Sequence, residues 1–173
     1  MFHNIKADLV AYEGNFGAQG FWVMLVYRFG RWRYSVRPSF LRKILSLVYK
    51  LLFKFIQIVT GIELPCEVIV GNNFRIDHFG GIVVSGYAVF GDNCRIRNGV
   101  VIGLKNVENL GAPSFGNNVD IGAGAKILGQ ISIGNDVLIG ANAVVICDVP
   151  DNSIAVGVPA VIKSRNTVLI GST

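Results

Sequence analysis

Residues 115–144 read FGNNVD IGAGAK ILGQIS IGNDVL IGANAV, successive blocks of six. Phe115, Ile121, Ile127, Ile133 and Ile139 open the blocks, and Val145 opens the next. Gly follows the opening residue at Gly116, Gly122, Gly134 and Gly140, and a second apolar residue comes four places on, at Val119, Ala125, Ile131, Val137 and Ala143. Six is not a helical repeat, and Val and Ile dominate the fixed positions, so a helix is excluded. A hexad matches one flat face of a β-helix, in which aliphatics at a fixed place stack into one continuous core. Asn117, Asn118 and Asn135, like Gly, tolerate the positive φ that corners between faces need.

The same period extends towards the N-terminus. Leu64, Val70, Ile76 and Ile82 are six apart, the register slips by two, and Val84, Phe90, Ile96 and Ile102 continue it. Phe74, Ala88, Cys94 and Val100 hold the second inward position. At three hexads each, the repeats predict roughly four to five coils. The period breaks between Ile102 and Phe115, which predicts a loop at 103–113. Insertions in repeat proteins become loops, often on the binding face; the plain alternative is a neutral surface excursion. The two-residue slip falls just after Asp77 and His78, where an irregular coil re-aims nearby side chains.

Composition narrows the function. In 173 residues, 51% hydrophobic and only 16% charged, intrinsic disorder is excluded and one domain, or one domain plus a small appendage, is expected. Cys66, Cys94 and Cys147 share no metal or redox spacing, which suits a reducing, cytoplasmic protein. His3 and His78 are too few for most imidazole-based metal sites, so no metal is expected. The opening MFHNIKADLVAYEG lacks a basic region followed by an apolar core, so no signal peptide is expected.

The net charge of +5 is unevenly spread. No acidic residue lies between Gly14 and Ile62, a stretch carrying Arg28, Arg31, Arg33, Arg37, Arg42, Lys43, Lys50 and Lys54 among large apolar residues. It reads as two helices, one over about 21–34 and one from near Pro38 to about Val59, stopping before Gly61. Lys50 and Lys54 interrupt the apolar run from Ile44 to Ile58, so a membrane span is not expected. Such a helix either lies on an anionic membrane or packs on its own domain or a neighbouring subunit with lysines at the rim. Nucleic acid is not an expected partner, since no recognisable nucleic-acid module is present. The predicted organisation is a basic, apolar helical region at 1–60, a β-helix at 61–165 and a tail at 166–173.

Three stretches closely resemble the serine O-acetyltransferases: Asp77-His-Phe-Gly-Gly-Ile-Val-Val84, Ile121-Gly-Ala-Gly-Ala-Lys-Ile-Leu-Gly129 and Ala155-Val-Gly-Val-Pro-Ala160. The resemblance covers about residues 58–165 and reaches more weakly to Tyr27-Arg-Phe-Gly-Arg-Trp32. It implies a left-handed parallel β-helix of hexapeptide repeats, acetyl-CoA as co-substrate, and a homotrimer with active sites between subunits. The short N-terminal region, its basic apolar helices and the Glu before the first coils are similar to the colanic-acid acetyltransferases of exopolysaccharide synthesis.

Acyl transfer to a hydroxyl needs a base and a group that orients it. Composition alone leaves Asp77 and His78 as an exposed turn pair. The resemblance makes His78 the general base. Glu63 lies fourteen residues before Asp77, the spacing at which serine acetyltransferases carry the Asp that orients their His, so Glu63 is the expected orienting carboxylate. Asp77 would shape the acceptor pocket, and transfer would be direct. A Cys nucleophile is disfavoured, because Cys94 is at an inward position and no base accompanies Cys66 or Cys147. By resemblance, Ala123 and Ala141 are small so that the pantetheine arm can approach, although corners prefer small residues anyway. Lys163 and Arg165 either meet the CoA phosphates or form a solvated basic tail, and Lys105 is a weaker candidate.

Two departures bear on the acceptor. Gly111 and Ala112 stand where serine acetyltransferases carry an Arg-His pair ahead of Pro113, and Leu169-Ile-Gly-Ser-Thr173 lacks the Ile ending with which some of them dock on a partner enzyme. The resulting expectation is acetylation of a sugar hydroxyl in bacterial surface polysaccharide synthesis, with serine O-acetylation in cysteine synthesis as the alternative. A non-catalytic β-helical scaffold is the reading outside enzymology. A β-helical carbonic anhydrase is excluded for want of three His ligands.

Overall fold

A computed structural model describes residues 2–106 and 111–165. The expected tail and the centre of the 103–113 loop lie outside the described residues. From Ile62 the chain winds as a parallel β-solenoid of about four turns, its short strands stacked on three faces. The first face carries Ile62–Glu63, Ile82–Val84, Val101–Gly103, Lys126–Leu128 and Val144–Val145. The second carries Ile69–Val70, Val89–Phe90, Ser114–Phe115 and Ser132–Ile133. The third carries Arg75–Asp77, Arg95–Arg97, Asp120–Ile121, Leu138–Ile139 and Ser153–Val156, and is closed by Val161–Ser164, which pairs antiparallel with Ser153–Val156.

The hexad openings form the inward columns. Val84, Ile102, Ile127 and Val145 stand in register on the first face and are buried. Phe90, Phe115 and Ile133 do the same on the second, and Ile121, Ile139 and Ala155 on the third. Outward residues alternate with them, as a period of two requires. Of the expected inward residues, Val70 and Ile131 are only partly buried.

Strand register locates both irregularities. Val83 pairs with Val101 and Lys126 with Val144, the eighteen-residue step of three hexads. Arg75 pairs with Arg95, twenty residues on, so the two extra residues fall between Asp77 and Val83, in the corner that contains His78. Val101 pairs with Lys126, twenty-five on, and the seven extra residues lie between Gly103 and Ser114.

Three α-helices precede the solenoid: α1 (Phe2–Ala11), α2 (Gln19–Trp32) and α3 (Ser39–Thr60). The sequence reading anticipated α2 and α3 and missed α1. A buried ion pair ties α1 to α2: Arg28 donates through two nitrogens to Asp8, at 2.8 and 2.9 Å. The helix expected to reach residue 34 ends at Trp32 in a 3-10 turn, Arg33–Ser35, where the buried Arg33 guanidinium donates to the Gly30 carbonyl, Ser46 and Tyr34. Gly61, at φ +65°, caps α3 in the left-handed conformation.

Tyrosine hydroxyls pin the helices to the first coil. Tyr12 accepts from the Ile76 amide at 2.9 Å, Tyr27 donates to the Val68 carbonyl at 2.9 Å, and Tyr49 accepts from the Cys66 amide at 2.9 Å. Gly20 permits the approach, since a Cβ there would lie 2.3 Å from the Ile76 carbonyl oxygen. No helix among the described residues is long and apolar enough to cross a membrane.

Candidate active site

His78 sits in the enlarged corner between the third and first faces, with φ +65° and its side chain exposed. The two extra residues fall in the first coil, whose third-face strand ends its sheet, and the corner they enlarge leaves His78 and Phe79 exposed. A cavity of about 730 Å³ opens beside it, bounded by His78, Phe79 and Asn98 on the solenoid and by Tyr12 and Gln19 from the helices. The pinned helices therefore supply one wall of the hollow next to the candidate base.

Asp77 is committed elsewhere than to His78. One carboxylate oxygen accepts from Arg75 at 2.7 Å, and the other is ion-paired with Arg95 at 3.1 Å. Arg75 also reaches Glu13 at 3.0 Å and the Ala11 carbonyl at 3.2 Å. That hydrogen bond to Glu13, with Asp77 adding to it, raises the Arg75 guanidinium above its ordinary value. Arg97 pairs with Asp120 on the next coil. These arginines form an outward charged network on the third face that sequence reading overlooked. Their signature was present: Arg75-Ile-Asp77 and Arg95-Ile-Arg97 place charges on either side of an inward Ile, twenty residues apart.

Glu63 lies on the first face, paired in register with Val83 and exposed. No hydrogen bond or ion pair joins Glu63 to His78 among the described residues. Glu63 is separated from the His78 corner by one strand step: the Gly80 amide donates to the Thr60 carbonyl, and the Ile82 amide to that of Gly61.

The same edge of the prism carries Ala123 and Ala141. The Gly99 amide donates to the Gly80 carbonyl, Gly124 to Asn98 and Asn142 to Ala123, each at 2.8 or 2.9 Å. His78, Asn98, Ala123 and Ala141 thus occupy successive coils along one edge. At the usual strand spacing, Ala123 is about 10 Å and Ala141 about 14 Å along the axis from the His78 coil. Gly122 lets adjacent coils stack closely at this edge, because a Cβ there would stand 2.5 Å from the Ala141 amide nitrogen.

The basic candidates do not share that edge. Lys163 pairs in register with Ile154 on the closing strand and is exposed. Arg165 is exposed at the corner between the second and third faces, where its guanidinium lies 3.3 Å from the Asp136 carbonyl oxygen. Lys105 flanks Gly129 at a third corner, in a hollow of about 290 Å³. Cys66 and Cys94 are buried and Cys147 is exposed. Burial pushes the Cys94 thiol up to about 11, which leaves it protonated and inert at neutral pH.

No family model matches the chain. The serine acetyltransferase of Synechococcus elongatus is 36% identical over 152 residues, 87% of this chain and 59% of that protein. A protein of Escherichia coli K12 provisionally named a colanic acid biosynthesis acetyltransferase is 41% identical over 103 residues, 60% of this chain and 64% of its own length. The chain thus spans about six-tenths of the length of these curated relatives. Among solved structures, apo soybean serine acetyltransferase superposes with a TM-score of 0.79 at 30% identity, over 93% of this chain and 68% of that one. The Brucella abortus serine acetyltransferase gives 0.79 at 29%, over 94% and 68%. Shared helices, shared solenoid and this level of identity over nearly the whole chain place it in the hexapeptide-repeat serine acetyltransferase family.

Proposed function

We propose that the chain is an acetyl-CoA-dependent O-acetyltransferase of the cytoplasm, acting on a sugar hydroxyl of a surface polysaccharide or its precursor. The observation that carries acetyl transfer is the single edge shared by His78, Ala123 and Ala141 beside the 730 Å³ cavity. In this reading a ring nitrogen of His78 takes the acceptor O–H proton while the oxygen attacks the thioester carbonyl. The C–S bond of the tetrahedral intermediate then breaks, and the imidazolium returns the proton to the departing thiolate. Glu63 orients the imidazole and Asp77 braces the acceptor side through Arg75 and Arg95; Lys163, Arg165 and Lys105 lie off this edge and would meet the CoA phosphates only from a neighbouring subunit. Exposure of His78 in the single chain supports a trimer in which a neighbouring subunit completes the site.

The sugar acceptor is favoured by Gly111 and Ala112, which bring no charge to the chain ahead of Pro113, and by the relative from colanic acid biosynthesis. Serine is the second reading, favoured by the names of the other relatives and of the solved structures.

Free-thiol release from acetyl-CoA tests both readings. Release that requires L-serine assigns the second, and release that requires repeat-unit oligosaccharides assigns the first. His78→Ala should lower either by about a hundredfold or more. Glu63→Gln should lower kcat by at least about tenfold, with Glu63→Asp recovering part of it. An unchanged rate in His78→Ala would remove direct base catalysis.

A further inference from the structure

Helix α3 has two apolar faces. One, with Tyr49, Ile56 and Thr60, is turned inward and buried. The other points away from the protein. Phe40, Ile44, Leu47, Leu51, Phe55 and Ile58 recur at steps of four, three, four, four and three, one continuous stripe, and are 46 to 74% exposed. An outward apolar face of this size on a helix of about 33 Å marks an interaction surface.

Charge decides what covers it. Lys43, Lys50 and Lys54 line one border of the stripe, also at helical spacing, and are exposed. Ser39, Arg42, Lys43, Ser46 and Lys50 bound a shallow hollow of about 310 Å³ on that border. No carboxylate occurs anywhere from Gly14 to Ile62. An antiparallel pair joined through this face would bring the two lysine borders together with nothing on either helix to neutralise them, and a parallel pair would leave each border without a counter-charge. An anionic bilayer meets both needs: acyl chains take the apolar face, and phosphate headgroups take the lysine border and the hollow.

We propose that α3 docks this protein flat on an anionic lipid surface, with Leu51 and Phe55 at the centre of the inserted face and Lys43, Lys50 and Lys54 at the headgroups. This inference is independent of which hydroxyl is acetylated. The test is flotation of the full chain with vesicles of phosphatidylcholine and phosphatidylglycerol, against vesicles of phosphatidylcholine alone. Binding should require the anionic lipid and weaken in salt. Leu51→Ser/Phe55→Ser and Lys43→Glu/Lys50→Glu/Lys54→Glu should each lower partitioning by at least about tenfold. Circular dichroism checks that each variant is folded, and either one suffices. Thiol release with a soluble acceptor should be unaffected by both. The proposal is overturned if the unmodified protein does not float with anionic vesicles at low salt, or if folded variants float equally well. It is also overturned if sedimentation shows Leu51→Ser/Phe55→Ser reducing the assembly size while the parent ignores vesicles, since the stripe would then join copies of this chain.

Discussion

Replacing His78 by glycine separates what this residue does for the fold from what it does for the reaction. Its φ of +65° lies in the left-handed region. A side chain with a Cβ costs about 1–2 kcal/mol there, which glycine removes. Glycine also gives the unfolded chain more freedom, an opposing effect of about 0.4–1 kcal/mol. The imidazole is exposed and makes no hydrogen bond among the described residues, so truncating it forfeits no polar contact within the chain. The balance leaves His78→Gly about 0.5–1 kcal/mol more stable than the parent. For a chain of this size that is a Tm rise of about 1–4 °C. Acetyl transfer should meanwhile fall by about a hundredfold or more. His78→Asn should lie between the two in stability, because Asn visits the left-handed region with less strain, and be equally inactive. Calorimetry and thiol release on the same preparations read both effects. A Tm lowered by about 2 °C or more, against the rise expected from strain relief, would show that contacts rather than function hold the imidazole in place. A stabilised variant that keeps its turnover would leave the strained conformation without a catalytic reason.

Two further outcomes follow from the core. Phe90 is wedged between Phe74, at 4.9 Å between ring centroids, and Phe115, at 4.5 Å, so Phe90→Ala should cost about 3–5 kcal/mol in urea unfolding, and a loss below about 1.5 kcal/mol would contradict a closed aromatic stack. A thiol reagent at pH 8 should titrate Cys147 rapidly, and reach Cys66 and Cys94 only in denaturant. Because burial raises the Cys94 thiol to about 11, the folded state holds its proton where the unfolded state releases it. That stabilisation is complete below the unfolded thiol value of about 8.5 and is lost as pH rises towards 11. Stability measured across this range should fall less steeply in Cys94→Ala.

The solenoid was legible because its cause is local and repeated. One aliphatic every six residues can be buried only by stacking coils, so Ile121, Ile127, Ile133 and Ile139 dictate a β-helix before any distance is known. Both insertions could be counted in the same way. Helix α1 was not legible, because its partners are distant in sequence: Asp8 meets Arg28 twenty residues away, and Ala11 meets Arg75 sixty-four away. The network around Asp77 escaped for a similar reason: Asp77 meets Arg95, and Arg97 meets Asp120, only after a coil closes.

Sequence alone determined the repeat, the corners and the basic character of the helices, and singled out His78 as the candidate imidazole. Tertiary structure alone decided which residues share an edge. It put Ala123 and Ala141 on the edge of His78, left Lys163, Arg165 and Lys105 elsewhere, engaged Asp77 with arginines, and turned one apolar face of α3 inward and the other out. The physical reason is that a hexad states which side chains point inward, a matter of backbone period. Which outward side chains become neighbours depends on coil register, and a slip of two or seven residues sets that register without altering the period on either side.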